Sequence, residues 1–219
     1  RRQVVCEFKD RFNYMKDKKN YPDLHLIINC TYRQKNDYLD AMIEFNKRKY
    51  FGSQQMFFKT KWLLTGSERK RFLAETKTEY VKTLLQKVEN KRFICFTGSI
   101  EQATILSNNT NVIHSKVKDS LKIIDSFNKE LISHLFVVDM LKEGQNLNNI
   151  EVGIIVQLDG DVGTFIQKAG RVMRAENPVI FIFYYKGTRD EEYLANILTE
   201  VDREHVQILT DLADFNFNQ

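Results

Sequence analysis

The sequence predicts an α/β domain built on a mostly parallel sheet with helices on both faces. Three observations predict it. From Lys91 onward, short apolar runs alternate with amphipathic segments. The runs, such as Phe93-Ile94-Cys95-Phe96 and Leu135-Phe136-Val137-Val138, are continuously apolar rather than alternating, as strands covered on both faces are. The segments between them are long enough to be crossover helices, which parallel neighbours require.

The elements follow in order. Residues 1–21 read as a polar helix with aromatics at Phe8, Phe12 and Tyr14, ended by a turn at Tyr21-Pro22-Asp23. Leu24 to Ile28 reads as a strand, Asp37 to Arg48 as a helix, and Gln55 to Phe58 as a short strand. Thr65-Gly66-Ser67-Glu68 has the form of a capping box and opens a long helix to about Asn90. Phe72, Leu73, Thr76, Tyr80, Leu84 and Val88 make its apolar stripe. Strand 93–97 leads to a helix from Ser99 to about Ser107. A short strand at 111–114 leads to a helix over about 117–128. Strand 134–138 enters the loop 139–150, and a further strand lies within 151–158. A helix over 162–174, strand 179–185, a helix opening at Thr188-Arg189-Asp190-Glu191 and a last helix over about 202–213 complete the chain. Residues 1–64 form a leading segment, and residues 65–219 form the domain.

Composition bounds the function. The 219 residues carry a net charge of +4, unevenly divided. Residues 1–92 hold 22 Lys+Arg against 11 Asp+Glu, a net of +11, and the remainder carries −7. A basic leading part suits a nucleic-acid footprint, and equally a set of solvated helix faces. Cys6, Cys30 and Cys95 form neither a metal pattern nor a disulfide framework. Free thiols suit a reducing compartment, so a cytoplasmic location is expected. No apolar run is long enough to span a bilayer. The opening Arg1-Arg2 has no methionine or signal-peptide core, which reads as a piece of a longer protein.

The segment from Asp161 to Arg174 carries the chemistry. At roughly 100° per residue, Gln167, Arg171 and Arg174 share one face of a helix. Phe165, Ile166, Ala169, Val172 and Met173 gather on the other. Two guanidiniums fixed on one rigid element suit a polyanion such as a triphosphate, because each presents several donors and keeps its charge. Gly170, costly in a helix interior, marks a possible close approach. Arginines on a solvated face, and Thr164-x-x-Gln167 as a capping box, are the alternative readings.

Three further pieces precede that helix at strand ends: Thr97-Gly98-Ser99, His114-Ser115, and Asp139 to Leu147 with its Gly144. Ligands of such sheets gather at the carboxyl ends of strands. The ordered set resembles the C-terminal RecA-like domain of superfamily 2 helicases and translocases, with motifs IV, IVa, V and VI, over about residues 91–187. The resemblance implies a RecA-like three-layer sandwich. It implies that Arg174 is the arginine finger on the γ-phosphoryl group and Arg171 its companion. It implies that Gln167, Gly144 and Asn146 belong to the ATP site. It implies that Thr97, Gly98, Ser99, His114, Ser115 and Asp139 hold strand phosphates.

Val138 and Asn146 depart from common family residues, and Glu143 stands where some branches carry arginine, unlike the DEAD-box RNA helicases. That favours DNA-directed phage or bacterial members, with RNA possible. The sequence has no G-x-x-x-x-G-K-[ST] loop, so ATP and Mg²⁺ are expected mainly on an N-terminal RecA-like domain, and the segment by itself is expected to be inactive. The expected function is the second motor domain of an ATP-dependent DNA helicase or translocase. The alternatives are a non-catalytic nucleic-acid-binding module and a doubly wound domain for another nucleotide or sugar.

Overall fold

The continuous apolar runs become the inner strands of one sheet. β2 (Phe93–Thr97), β4 (His134–Val138), β5 (Val152–Ile155) and β6 (Val179–Tyr184) are buried almost throughout. The computed structural model describes residues 2–7 (backbone only), 67, 70–138, 147–172, 178–199, 201, 205–215 and 217. The segments expected at 24–28, 37–48 and 55–58, and Thr65-Gly66, lie outside these residues. Two compact units divide the chain, Asp10–Phe72 and the remainder. The sheet belongs to the second.

With β1 (Arg2–Glu7), β3 (Val112–Ile113) and β7 (Val206–Leu209), the described strands form a seven-stranded sheet ordered β3-β4-β2-β5-β6-β1-β7. All of its pairings are parallel. The helices between them are α1 (Thr78–Lys87), α2 (Ile100–Ser107), α3 (Ser120–Asn128), α4 (Val162–Val172) and α5 (Arg189–Leu198). The fold is therefore the expected α/β RecA-like sandwich. One core joins Ile94, Phe96, Leu135 and Val137 to Phe165, Ala169, Val172, Ile182 and Ile197. Among the described residues no helix is long and apolar enough to cross a membrane. Cys95 is a buried free thiol, as expected of its apolar run.

Four local expectations are corrected. Residues 2–7 are a strand, not part of a helix. Arg2-Gln3-Val4-Val5-Cys6-Glu7 pairs on both sides, with β6 and β7, and that ladder outweighs the polar flanks. The same pairing makes 206–209 a strand, followed by a 3₁₀ turn at Leu212–Asp214, where a helix was expected. The long helix to Asn90 is interrupted. Residues 70–76 are helical, Lys77 is a turn whose N–H donates to Ala74 O at 3.1 Å, and α1 starts at Thr78. Its buried face runs through Leu73, Ala74, Lys77, Val81, Leu84 and Val88, while Phe72, Thr76 and Tyr80 are half-buried. Finally, α3 begins three residues later than expected, at Ser120.

Candidate functional site

α4 is set by its first residue outside the helix. The Asp161 carboxylate accepts from the N–H groups of Gly163 and Thr164 at 3.1 Å each and from the Thr164 hydroxyl at 2.8 Å. Asp161 is thus the cap, and the Thr164-x-x-Gln167 box is not formed. The Thr164 hydroxyl and these two N–H groups hold the Asp161 carboxyl below its ordinary pKa.

The buried side of α4 is Phe165, Ala169 and Val172. Val172 lies against Gly153 of β5, where a Cβ would come within 2.7 Å of Val172 Cγ2. That missing side chain lets helix and strand approach closely. Lys168 pairs with Asp159 at 3.3 Å, and its ammonium lies 5.7 Å from the Phe96 ring centroid.

The outward side of α4 carries Gln167, exposed, and Arg171, half-buried. Ile166, expected on the buried side, is 51% exposed instead. Ile166 lies about 100° from both Phe165 and Gln167, so it falls at the margin of the apolar stripe. No described atom lies within 4 Å of where a Gly170 Cβ would stand. Apart from the helix itself, nothing among the described residues packs against Gly170. Arg174, Gly144, Asn146 and Asp139 lie outside the described residues.

The turn after β2 is tightly engaged within the domain. The Thr97 hydroxyl donates to Val137 O at 3.2 Å. Gly98 N–H donates to Gln102 Oε1 at 3.0 Å, and the Gln102 amide in turn donates to Ala74 O. Ser99 caps α2, accepting from Gln102 N at 3.1 Å, and its hydroxyl donates to Glu75 Oε1 at 3.3 Å. Both side-chain hydroxyls and the Gly98 amide thus have partners in the chain. At the end of β3, His114 Nδ1 accepts from Lys116 N at 3.2 Å, and Ser115 is exposed.

One cluster escaped the sequence. Lys77 and Asp190 are fully buried and paired at 2.6 Å. The Lys77 ammonium also lies 3.0 Å from Val156 O, 3.2 Å from Phe183 O and 3.3 Å from Gln157 Oε1. Asp190 further accepts from Gln157 Nε2 at 2.9 Å and Tyr185 N at 3.3 Å. Burial pulls the Lys77 pKa below that of an ordinary lysine, and Asp190 opposes the pull. In the sequence nothing separates Asp190 from Glu191 and Glu192, the other carboxylates in the first turn of α5. The signal that could have found the pair is a lysine in phase with Leu73, Ala74, Val81 and Leu84.

A parallel sheet flanked by helices in this order is the α/β RecA-like class of fold. Residues 76–176 match the family model described as the helicase conserved C-terminal domain. The matched residues thus support a superfamily 2 helicase C-terminal RecA-like domain.

Solved structures agree on the fold. Saccharomyces cerevisiae Dbp5 bound to RNA and ADP BeF3 is 18% identical, with a TM-score of 0.54 over 63% of this chain and 39% of that one. The C-terminal domain of the same yeast protein bound to Gle1 and IP6 is 17% identical, with a TM-score of 0.53 over 64% of this chain and 87% of that one. The E. coli DEAD-box protein SrmB bound to regulator of ribonuclease activity A is 17% identical, with a TM-score of 0.52 over 62% and 84%. The matched part therefore spans well under half of the longer Dbp5 chain. No curated protein sequence matches the chain.

Proposed function

We propose that this chain is the second motor domain of an ATP-dependent superfamily 2 helicase or translocase acting on DNA. The observation that carries the reading is the outward face of α4. It presents Gln167 and Arg171, with an open Gly170 between them and Arg174 one turn beyond Gly170 in sequence. A guanidinium on a rigid helix suits the phosphates of a nucleotide held by a neighbouring domain.

In this reading Arg174 is the arginine finger and Arg171 its companion. Gln167, Gly144 and Asn146 complete the domain's share of the ATP site. ATP with Mg²⁺ supplies the transferable phosphoryl group, and both are held mainly by an N-terminal RecA-like domain. The motor domain is residues 65–219 with β1 added to its sheet. Thr97, Gly98, Ser99, His114, Ser115 and Asp139 mark the strand side. The hydroxyls of Thr97 and Ser99 and the Gly98 N–H are all engaged within the domain, so phosphate contact there would exchange one of these bonds.

DNA is the proposed strand because Glu143 replaces the arginine of some RNA-directed branches. RNA is the alternative favoured by the printed ligand of yeast Dbp5. The test is the ATPase of the full-length protein with single-stranded DNA or RNA of equal length. Stimulation by DNA, lost about 10³-fold in Arg174→Ala, is the expected result. Arg171→Lys should lower it as well, since a point charge does not reproduce the fork. Stimulation by RNA alone corrects the strand assignment. A folded protein with no nucleic-acid-dependent turnover supports the non-catalytic alternative.

A further inference from the structure

We infer that Lys77, Asp190 and Gln157 are positioning residues for the basic face of α4, acting through the short connection that joins β5 to that helix. The inference rests on the proposed role of Arg171.

The cluster joins four separate segments: the turn at Lys77, the end of β5, the end of β6 and the first turn of α5. The Lys77 ammonium reaches Val156 O at 3.0 Å and Gln157 Oε1 at 3.3 Å, the first two residues after β5. Gln157 Nε2 returns to Asp190 Oδ1 at 2.9 Å and bonds Leu158 O at 3.1 Å. The connection then runs on in contact. Leu158 is buried in the core, and Asp159 holds Lys168 of α4 at 3.3 Å. Gly160 sits where a Cβ would fall 2.9 Å from the Tyr193 ring of α5, and Asp161 caps α4. Every residue from Val156 to Asp161 therefore has a fixed neighbour, and the first of these fixtures is the lysine.

Stability alone does not explain such a pair. Two buried charges lose their hydration, and packed apolar residues of similar size often do as well or better. What a hydrogen-bonded ion pair adds is a defined geometry. Lys77 has one arrangement that serves two backbone carbonyls, an amide oxygen and a carboxylate together. A methionine would fill the same volume without fixing where the β5–α4 connection lies. Displacement of the connection moves the start of α4, and with it the azimuth and height of Gln167 and Arg171. Misplacement of a catalytic group by about 1 Å can cost on the order of 100-fold in rate.

The experiment uses the full-length protein with three changes: Lys77→Met/Asp190→Asn together, Gln157→Met, and Arg171→Ala. The double change removes both charges at once and leaves an acceptor for Tyr185 N. Gln157→Met leaves the ion pair and the Lys77 bond to Val156 O in place and removes the three side-chain bonds of Gln157 to Lys77, Asp190 and Leu158 O, so it reports even where the double variant does not fold. Each is assayed well below its melting temperature for kcat and KM of ATP. The expected result is a fall in kcat of roughly tenfold or more, with KM for ATP little changed, as befits a contact made in the transition state. In an Arg171→Ala background the same changes should cause a smaller fall than in the wild type, since residues acting partly through one group do not add. Wild-type kcat in folded Gln157→Met, or a full additive loss in the Arg171→Ala background, overturns the inference. Failure of Arg171→Ala itself to lower turnover overturns the reading beneath it, and is seen separately.

Discussion

The Lys77 ammonium and the Asp190 carboxylate meet at 2.6 Å, fully buried, across 113 residues of sequence. Removing one partner leaves the other charged or unsatisfied in the interior. Lys77→Met alone should therefore cost about 3–5 kcal/mol of stability. Lys77→Met/Asp190→Asn should recover most of that loss. Urea unfolding of the three proteins measures it, and equal losses in the single and double variants would refute the pairing.

Gly153 and Gly170 should respond to alanine with opposite signs. At Gly153 the new Cβ would lie 2.7 Å from Val172 Cγ2 in a packed helix–strand contact, and overpacking of this kind costs about 1–3 kcal/mol. At Gly170 the Cβ meets nothing within 4 Å, and a helix interior gains up to about 1 kcal/mol. Denaturation of this domain measures both. If a nucleotide or a second domain packs against Gly170, Gly170→Ala will also slow ATP turnover in the full-length protein. A stabilised domain with unchanged turnover would show that neither does.

Asp161 fixes the start of α4 through acceptor geometry and charge. Its carboxyl pKa is lowered in the fold, first by the Thr164 hydroxyl and then by the Gly163 and Thr164 amides. A group lowered in the folded state binds fewer protons than it does unfolded. Its stabilisation is present above the ordinary value of 3.8 and disappears as pH falls through the folded value. Asp161→Asn should keep the cap and lose that acid dependence. Asp161→Ala should lose both, read as a lower melting temperature at neutral pH.

His134 offers a second pH window. Its ring stacks on Phe93 with centroids 5.4 Å apart and packs edge-on to Phe136 at 6.0 Å. Partial burial lowers its pKa below 6.5, so the folded state prefers the neutral ring. Stability should be complete above 6.5 and decline as pH falls through the lowered value. His134→Phe retains the ring contacts and should flatten that decline in melts from about pH 7.5 down to about pH 5. An unchanged slope would place the acid sensitivity elsewhere.

The sequence by itself determined the parallel α/β class, the inner strands and the outward position of Gln167. It could do so because a strand buried on both faces and an amphipathic helix are written in local periodicity. The opening of α2 at Ser99 and of α5 at Thr188 was legible for the same reason: a helix start depends on only a few neighbouring residues. Tertiary structure decided the rest. Residues 2–7 are a strand because they pair with β6 and β7, and residues 206–209 because they pair with β1. Lys77 is buried only because Asp190, distant in sequence, is brought within reach of its ammonium by the fold. Gly153 has meaning only with Val172 above it. Such relations depend on which segments become neighbours, and no local pattern records that.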